Sequence, residues 1–477
     1  MNYRMIKYIT GWLLIFEALF MTVPTVTAIV YSEAQLWHFL VVMAGCLLIG
    51  GLMIIRKPKS TTLYAKEGFV IVSLSWIVLS LVGALPFFIS GTIPHYIDAV
   101  FETVSGFTTT GASILTAVEP LPKSMLMWRS FTHWVGGMGV LVFIMAFVPL
   151  SGGHNLHIMK AESPGPSVSK LVPRVKTTAL ILYAIYLVLT FIEFVMLLCG
   201  GMNTFEALAT AFGTAGTGGF GVLNDSIASY SPYIQIVVTV FMLLFSVNFS
   251  CYYLILIGRI KYAFNAELRT FVLIVAASIG VITLNISHMY GSVGESLRHS
   301  AFAVGSIIST TGFATEDFNL WPALSKTILV LIMFVGACAG STGGGMKVSR
   351  ILIFFKGLGR ELNTLVHPHR VKKVTIDKRP VDDDVVRSVN VYAVCFFALF
   401  TASVVLLSIE GHDLVTNFTA VAATINNIGP GLELVGPTQN YAFFSYPSKL
   451  ILIFDMLAGR LELFPMLLLF HPATWKK

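Results

Sequence analysis

The chain has 477 residues, 56% of them hydrophobic and 12% charged, with a formal net charge of +7 and a mean hydropathy of +0.80. A soluble domain of this length carries about 25% charged residues, so a water-soluble globular fold is excluded and an integral membrane protein is indicated. No nucleic-acid partner is expected. The five cysteines (Cys46, Cys199, Cys251, Cys338, Cys395) lie in apolar stretches with neither CxxC spacing nor a His partner. They read as small buried hydrophobes rather than metal ligands or disulfides.

Ten spanning segments are predicted in chain order, at roughly 8–30, 36–55, 68–90, 124–149, 177–200, 232–258, 269–290, 323–355, 388–409 and 447–470. Several exceed what a soluble core helix needs and match a bilayer span of about 20 residues. The first is too long for a signal-peptide core and lacks a small-residue cleavage site, so it is expected to be retained. The gaps 56–67, 151–176, 259–268 and 356–387 carry most of the Lys and Arg, and 25 of the 31 basic residues fall on one side. The positive-inside rule makes that side cytoplasmic and puts both termini there. His154 and His157 sit in one of these gaps without a third metal ligand.

Between the spans, four short amphipathic runs (Asp98–Phe107, Thr204–Gly213, Gly294–Ser309, Asp413–Thr424) are too short to cross, and each leads into an uncharged Gly-containing turn. An aromatic recurs in each run: Phe101, Phe205, Phe302 and Phe418. Taking Gly111, Gly218, Gly312 and Gly429 as equivalent, the turns recur at intervals of 107, 94 and 117 residues, all on the side opposite the basic gaps. Such runs read as re-entrant helices, and non-helical backbone at membrane depth is tolerated only inside protein or lining water. The candidate ion-binding residues are Thr109, Thr110 and Gly111; Gly216, Thr217 and Gly218; Thr310, Thr311 and Gly312; and Asn427, Ile428 and Gly429. Rings of backbone carbonyls replace the hydration shell of a monovalent cation, and none of the four turns carries a charge. Glu102 and Glu206, near the starts of two runs, are assigned to the helix dipole.

The eighth hydrophobic region holds Gly340, Ser341, Thr342, Gly343, Gly344 and Gly345 near its middle. So many flexible positions are expected to break it into two pieces joined by a loop. Ser341 lies about 22 Å along the span from Lys326, below the turns, where the loop is either an obstruction in a pore or a packing kink. Arg460, inside the last apolar run, lies at a similar depth. An intramembrane Arg is a functional-site hypothesis by default, either as a gate with the loop or as an ion pair with Glu462 or Asp455. The stretch 347–387, with ten basic and five acidic residues, suits anionic lipid headgroups or a soluble regulatory partner.

Taken together, Ser105–Ala112, Thr217-Gly218-Gly219-Phe220, Ser309–Phe313, Asn426–Gly431, Cys338–Lys347 and Gly459-Arg460-Leu461-Glu462 resemble the Trk/Ktr/HKT superfamily of potassium transporters, and most closely its TrkH-type bacterial branch. The resemblance covers nearly the whole chain. It implies an all-α polytopic membrane protein, with two leading transmembrane helices (1–60) and four pseudo-symmetric helix–re-entrant pore helix–helix repeats around one central pore. The corresponding boundaries are 61–165, 166–265, 266–375 and 376–477. It further implies potassium uptake across a bacterial inner membrane, with the four turns as selectivity filter and the Gly-rich loop and Arg460 as gate. A homodimer is implied, with a cytosolic nucleotide-binding regulatory ring (TrkA-like) docked on the inner face. NAD or ATP would bind that ring, and no cofactor is expected on this chain. Gly111, by analogy with members that carry Ser there and favour sodium, points to potassium. Sodium- or proton-coupled symport stays open as an alternative. An intramembrane enzyme lacks any catalytic constellation, such as HExxH or an ordered Ser/His/Asp set.

Overall fold

The computed structural model describes residues 1–58, 64–139, 175–367 and 373–475. The gap 151–176, with His154 and His157, the end of the fourth predicted span and the two C-terminal lysines lie largely outside these residues. The described chain is helical apart from one small antiparallel ribbon, β1 (Thr375–Ile376) and β2 (Arg379–Pro380).

The N-terminal hairpin comprises α1 (Tyr3–Phe20), α2 (Thr22–Val30) and α3 (Leu36–Ile54). Helices α1 and α3 touch through Gly11 and Gly50, where an added Cβ on Gly50 would stand 2.7 Å from the Gly11 carbonyl oxygen. Small residues allow such close approach between membrane helices.

Four units of one plan follow. The first has α4 (Ala65–Gly83) with α5 (Leu85–Ile89), the short α6 (Tyr96–Phe107) and α7 (Lys123–Gly137). The second has α8 (Val175–Cys199), short α9 (Thr204–Gly216), and α10 (Pro232–Phe245) continued by α11 (Phe249–Leu256); the small α12 (Ile260–Ala263) closes it. The third has α13 (Ala266–Ile286), short α14 (Val293–Ile308), α15 (Ala323–Val335) and α16 (Val348–Val366). The fourth has α17 (Asp383–Leu407), short α18 (Leu414–Ile425), α19 (Tyr446–Arg460), α20 (Phe464–Phe470) and α21 (Pro472–Trp475).

Among the described residues, six helices can cross a membrane by length and composition, or seven if the bent pair α10–α11 is one span. Large apolar side chains lie exposed on their outer faces, including Leu48, Phe191, Leu284 and Val394, as expected where the surrounding solvent is hydrocarbon. Of the thiols, Cys46, Cys251 and Cys338 are buried and Cys395 partly so, whereas Cys199 is exposed at the end of α8, correcting the expectation that all five are buried.

The three remaining predicted spans each stop or break, and so does the sixth. Helix α10 turns by 90° into α11 instead of running straight to 258. The second long helix of every unit is therefore short: α7, α10, α15 and α19 have 15, 14, 13 and 15 residues, about 20–22 Å of rise. The breaks fall at Met138–Gly139, Ser246–Asn248, Gly336 and Leu461–Leu463. Gly139, Gly336, Glu462 and Leu463 adopt positive φ there.

Local sequence sets the short helices. Asn203, Ser292 and Asp413 cap α9, α14 and α18, their side-chain oxygens accepting from the backbone N–H of Glu206 (2.9 Å), Glu295 (3.1 Å) and Thr416 (2.9 Å). Each satisfies an orphan donor at the helix start. Helix α6 lacks a side-chain cap but carries Asp98 in its first turn. Asp98 Oδ1 accepts from Lys449 Nζ of α19 at 2.7 Å, with both groups largely buried, so this pair joins the fourth unit to the first. Removing one partner strands the other. Lys449→Met is therefore expected to lower the thermal midpoint in detergent, a loss of about 3 kcal/mol. Pairing it with Asp98→Leu should restore most of that loss, as a double-mutant cycle followed by thermal melting would show.

Candidate functional site

All four short helices end in the same backbone motif. A residue at or just past each C-cap takes a left-handed conformation: Thr109 (φ 57°), Thr217 (55°), Thr310 (61°) and Asn427 (56°). The next residue's N–H bonds back five positions: Thr110 to Ser105, Gly218 to Gly213, Thr311 to Ser306 and Ile428 to Ala423, at 2.8–2.9 Å. The left-handed residue itself bonds back three positions, to Gly106, Thr214, Ile307 and Thr424. This is the Schellman arrangement, which usually places Gly at the left-handed site. Three β-branched Thr residues sit there instead, a conformation costing about 1–3 kcal/mol each and found chiefly at functional sites.

Two residues further on, every turn has a second left-handed position, and all four are glycine: Gly111 (φ 77°), Gly219 (78°), Gly312 (86°) and Gly429 (95°). The in-register triplet of the second turn is thus Thr217-Gly218-Gly219, not Gly216-Thr217-Gly218. Gly216 is the last residue of α9 and packs against the His133 backbone. The sequence Gly-Thr-Gly-Gly is ambiguous in register, and backbone conformation resolves it.

The glycines close a ring. A Cβ on Gly111 would collide with the Gly218 carbonyl, one on Gly219 with Thr311, one on Gly312 with Ile428, and one on Gly429 would stand 2.7 Å from the Thr110 carbonyl oxygen. Each turn thus abuts the middle carbonyl of the next, and the fourth returns to the first. All four glycines also line one cavity, together with Arg129, Asn224, Gln439 and Tyr441. The C-terminal ends of the four short helices lead into the ring, and their dipoles present partial negative charge there.

Buried side chains hold the turns from behind. His133 Nδ1 lies 2.7 Å from the Gly106 carbonyl oxygen and Nε2 accepts from Phe220 N–H at 3.2 Å, which puts the ring proton on Nδ1. The imidazole thereby links the first turn to the second. Arg129 donates to Glu102 at 2.8 Å, contacts the Gly221 carbonyl and lies 4.0 Å over the Phe220 ring. Glu102 also accepts from Ser113 Oγ and Ile114 N–H, both at 3.0 Å. Its assignment to a helix start is corrected: Glu102 lies mid-helix and braces the segment after the turn at Ser113 and Ile114, while Glu206 does sit in a first turn. Asn427 Nδ2 donates to Thr110 Oγ1 (3.0 Å) and to the Met456 carbonyl (2.9 Å), and Tyr441 OH donates to the Gly429 carbonyl (2.6 Å).

The other side of the ring faces the Gly-rich segment. It is a loop between α15 and α16, running from Gly336 to Lys347. Gly344 N–H donates to Thr310 Oγ1 at 2.6 Å, so the loop touches the third turn directly. A Cβ on Gly344 would meet the fourth turn at Asn426 and Asn427. The loop also fills the α10–α11 break: Cys338 N–H bonds the Ser246 carbonyl (3.0 Å), Thr342 Oγ1 that of Phe245 (3.1 Å), and Phe249 N–H that of Gly340 (3.0 Å). Those bonds give the physical reason for the bend.

Arg460, the last residue of α19, donates to the Thr342 carbonyl of the loop (2.8 Å) and to the Gly136 and Gly137 carbonyls ending α7 (2.5 and 2.8 Å). Glu462 accepts from Arg350, and Asp455 from Ser403 Oγ (2.8 Å). Gly340, Ser341, Gly343, Gly344, Gly345 and Arg460 all line a second cavity, on the opposite side of the ring from the first. Sequence reading brought the turns, loop and Arg460 together but missed Arg129, His133 and the breaks in α7 and α10. The signal for the first two was available: an Arg and a His, four residues apart, in an otherwise apolar span.

A multi-pass helical protein with four re-entrant turns closing a ring between two cavities has the build of a membrane transporter. A family model described as "TrkH: Cation transport protein" matches residues 38–477, and the chain belongs to that family. It is 36% identical to the Trk system potassium uptake protein TrkH of Escherichia coli (strain K12), over 100% of both chains. It is 34% identical to the same strain's TrkG, over 99% of each. The crystal structure of the potassium transporter TrkH from Vibrio parahaemolyticus superposes with a TM-score of 0.90 at 33% identity, covering 100% of both chains. These relatives are transporters, not enzymes.

Because an added Cβ at Gly219 would enter the space of a backbone carbonyl, Gly219→Ala is expected to distort the ring while sparing the helices. Cation uptake into proteoliposomes should lose discrimination between rubidium and sodium by about tenfold or more, as expected for a carbonyl ring pushed out of register.

Proposed function

We propose that this chain conducts potassium into a bacterial cell across the inner membrane, through the ring of four turns. The closed ring is the observation that carries the reading. Its twelve positions (Thr109-Thr110-Gly111, Thr217-Gly218-Gly219, Thr310-Thr311-Gly312 and Asn427-Ile428-Gly429) bear no charge. Backbone carbonyls at such positions take the place of water around a monovalent cation. The names of the relatives, potassium uptake proteins, support potassium as the ion.

The cavity above the glycines is the outer mouth, and the charge asymmetry of the loops favours an orientation with both termini cytoplasmic. The Gly336–Lys347 loop and Arg460 form the gate. Arg460 sets a positive charge under the ring, and the loop covers it through Thr310 and Asn426. A homodimer and a cytosolic regulatory ring that binds NAD or ATP complete the assembly, the basic surface of 347–387 serving as its dock. This chain holds no nucleotide of its own. Three carboxyls, Glu17, Glu193 and Asp455, are buried in α1, α8 and α19 and line neither cavity, whereas Glu462 does line the one beside Arg460, where it is paired with Arg350. A carboxylate already held by a guanidinium lends little to the alternative of sodium- or proton-coupled symport.

Purified chain in proteoliposomes is expected to take up rubidium, with sodium a poor competitor. Absence of rubidium entry, with or without a regulatory ring, would refute the reading. Arg460→Gln is expected to raise uptake severalfold, because about 1 kcal/mol of lost closure is a factor of five. Unchanged uptake at normal expression would remove Arg460 from the gate.

A further inference from the structure

One carboxylate outside the turns, the loop and the Arg460 segment touches both ends of the loop. Glu267 stands at the second position of α13, where a carboxylate ordinarily favours its own helix start. That start is already capped by Asn265, whose side chain accepts from Leu268 N–H at 2.9 Å. Glu267 instead reaches across to the loop. Its Oε1 accepts from Ala339 N–H at 2.7 Å, at the loop's entry, and from Ser349 N–H at 3.2 Å, in the first turn of α16 just past the loop's exit.

Helix α16 needs this partner. Its N-cap is Lys347, which makes no side-chain capping bond and adopts φ 76°. A cation is the wrong charge for a helix N-terminus, where the dipole is positive and the first N–H groups lack partners. Lys347 Nζ turns back instead onto the Gly343 carbonyl within the loop. The helix start is therefore supplied with its anion by a different helix, and one oxygen holds Ala339 and Ser349 at a common point.

We propose that Glu267 is a positioning residue that staples the entry and exit of the intramembrane loop, holding the arch between them across the path. This rests on the reading of the loop as a gate. With the staple intact, the loop closes against Thr310 and Arg460. With it gone, two backbone N–H groups lose a charged acceptor and the arch is free to move. The filter ring, which Glu267 does not touch, keeps its geometry.

The test compares the full-length chain with Glu267→Ala and Glu267→Gln in proteoliposomes, without any regulatory ring. Rubidium uptake and its competition by sodium are read alongside amide hydrogen exchange over residues 336–350. The isosteric Gln retains one acceptor oxygen but no charge, and serves where Ala impairs folding. Expected are faster exchange at Ala339 and Ser349, a basal uptake raised about fivefold in the Ala variant and less in the Gln variant, and sodium competition as in the parent chain. Faster exchange with unchanged uptake in both variants would overturn the proposal, as would a rise in uptake accompanied by lost sodium discrimination. If the parent chain itself admits no rubidium, the conduction reading fails, and the staple's gating role with it.

Discussion

Backbone polar groups at membrane depth have no water to satisfy them, and each one left unpaired costs several kcal/mol. The rest of this structure follows from how four non-helical turns meet that constraint. Schellman bonds satisfy the N–H groups that leave each short helix. Turn then packs against turn around a closed ring, each glycine against the middle carbonyl of the next. That closure is what the proposed cation site rests on. It is also why Thr109, Thr217 and Thr310 tolerate a left-handed backbone: the ring over-determines their conformation, and the strain is spread through a closed assembly.

A second level repeats the fourfold pattern. The long helix after each turn ends 13–15 residues in, and the four ends are laced together. Arg460 joins the end of α19 to that of α7 and to the loop, and the loop joins the end of α15 to the break in α10. The ring of turns and the laced helix ends thus form two successive levels, with Thr310 and Asn426 of the ring touching the loop. The units differ in what they contribute: the third supplies the loop, the fourth Arg460, and the first and second the backbone carbonyls that these contact.

Much of this was legible in the sequence because it rests on local signals. Turn positions showed as Gly in uncharged breaks, the loop as consecutive small residues inside an apolar run, and Arg460 as a charge where none belongs. The α10 bend was not legible, since 232–258 reads as one largely apolar run despite Ser246 and Asn248, and it is broken by bonds from a segment about ninety residues away. Register in the second turn was hidden by adjacent glycines that only φ distinguishes. Glu102 looked like a helix-start residue because its partner Arg129 is distant in sequence and adjacent only in the fold. Tertiary pairing of buried polar groups leaves little trace in local periodicity.

The partners chosen by Arg460 carry one more consequence. Gly136 and Gly137 are the final residues of α7, so their carbonyls form the negative pole of that helix, and the guanidinium now masks it. Moving Arg460 aside would do two things with one displacement. It would withdraw a full positive charge from the passage, and it would unmask about half a negative charge pointing the same way. In the proposed gate both changes would favour a cation, so the displacement of one side chain would act twice on the same barrier.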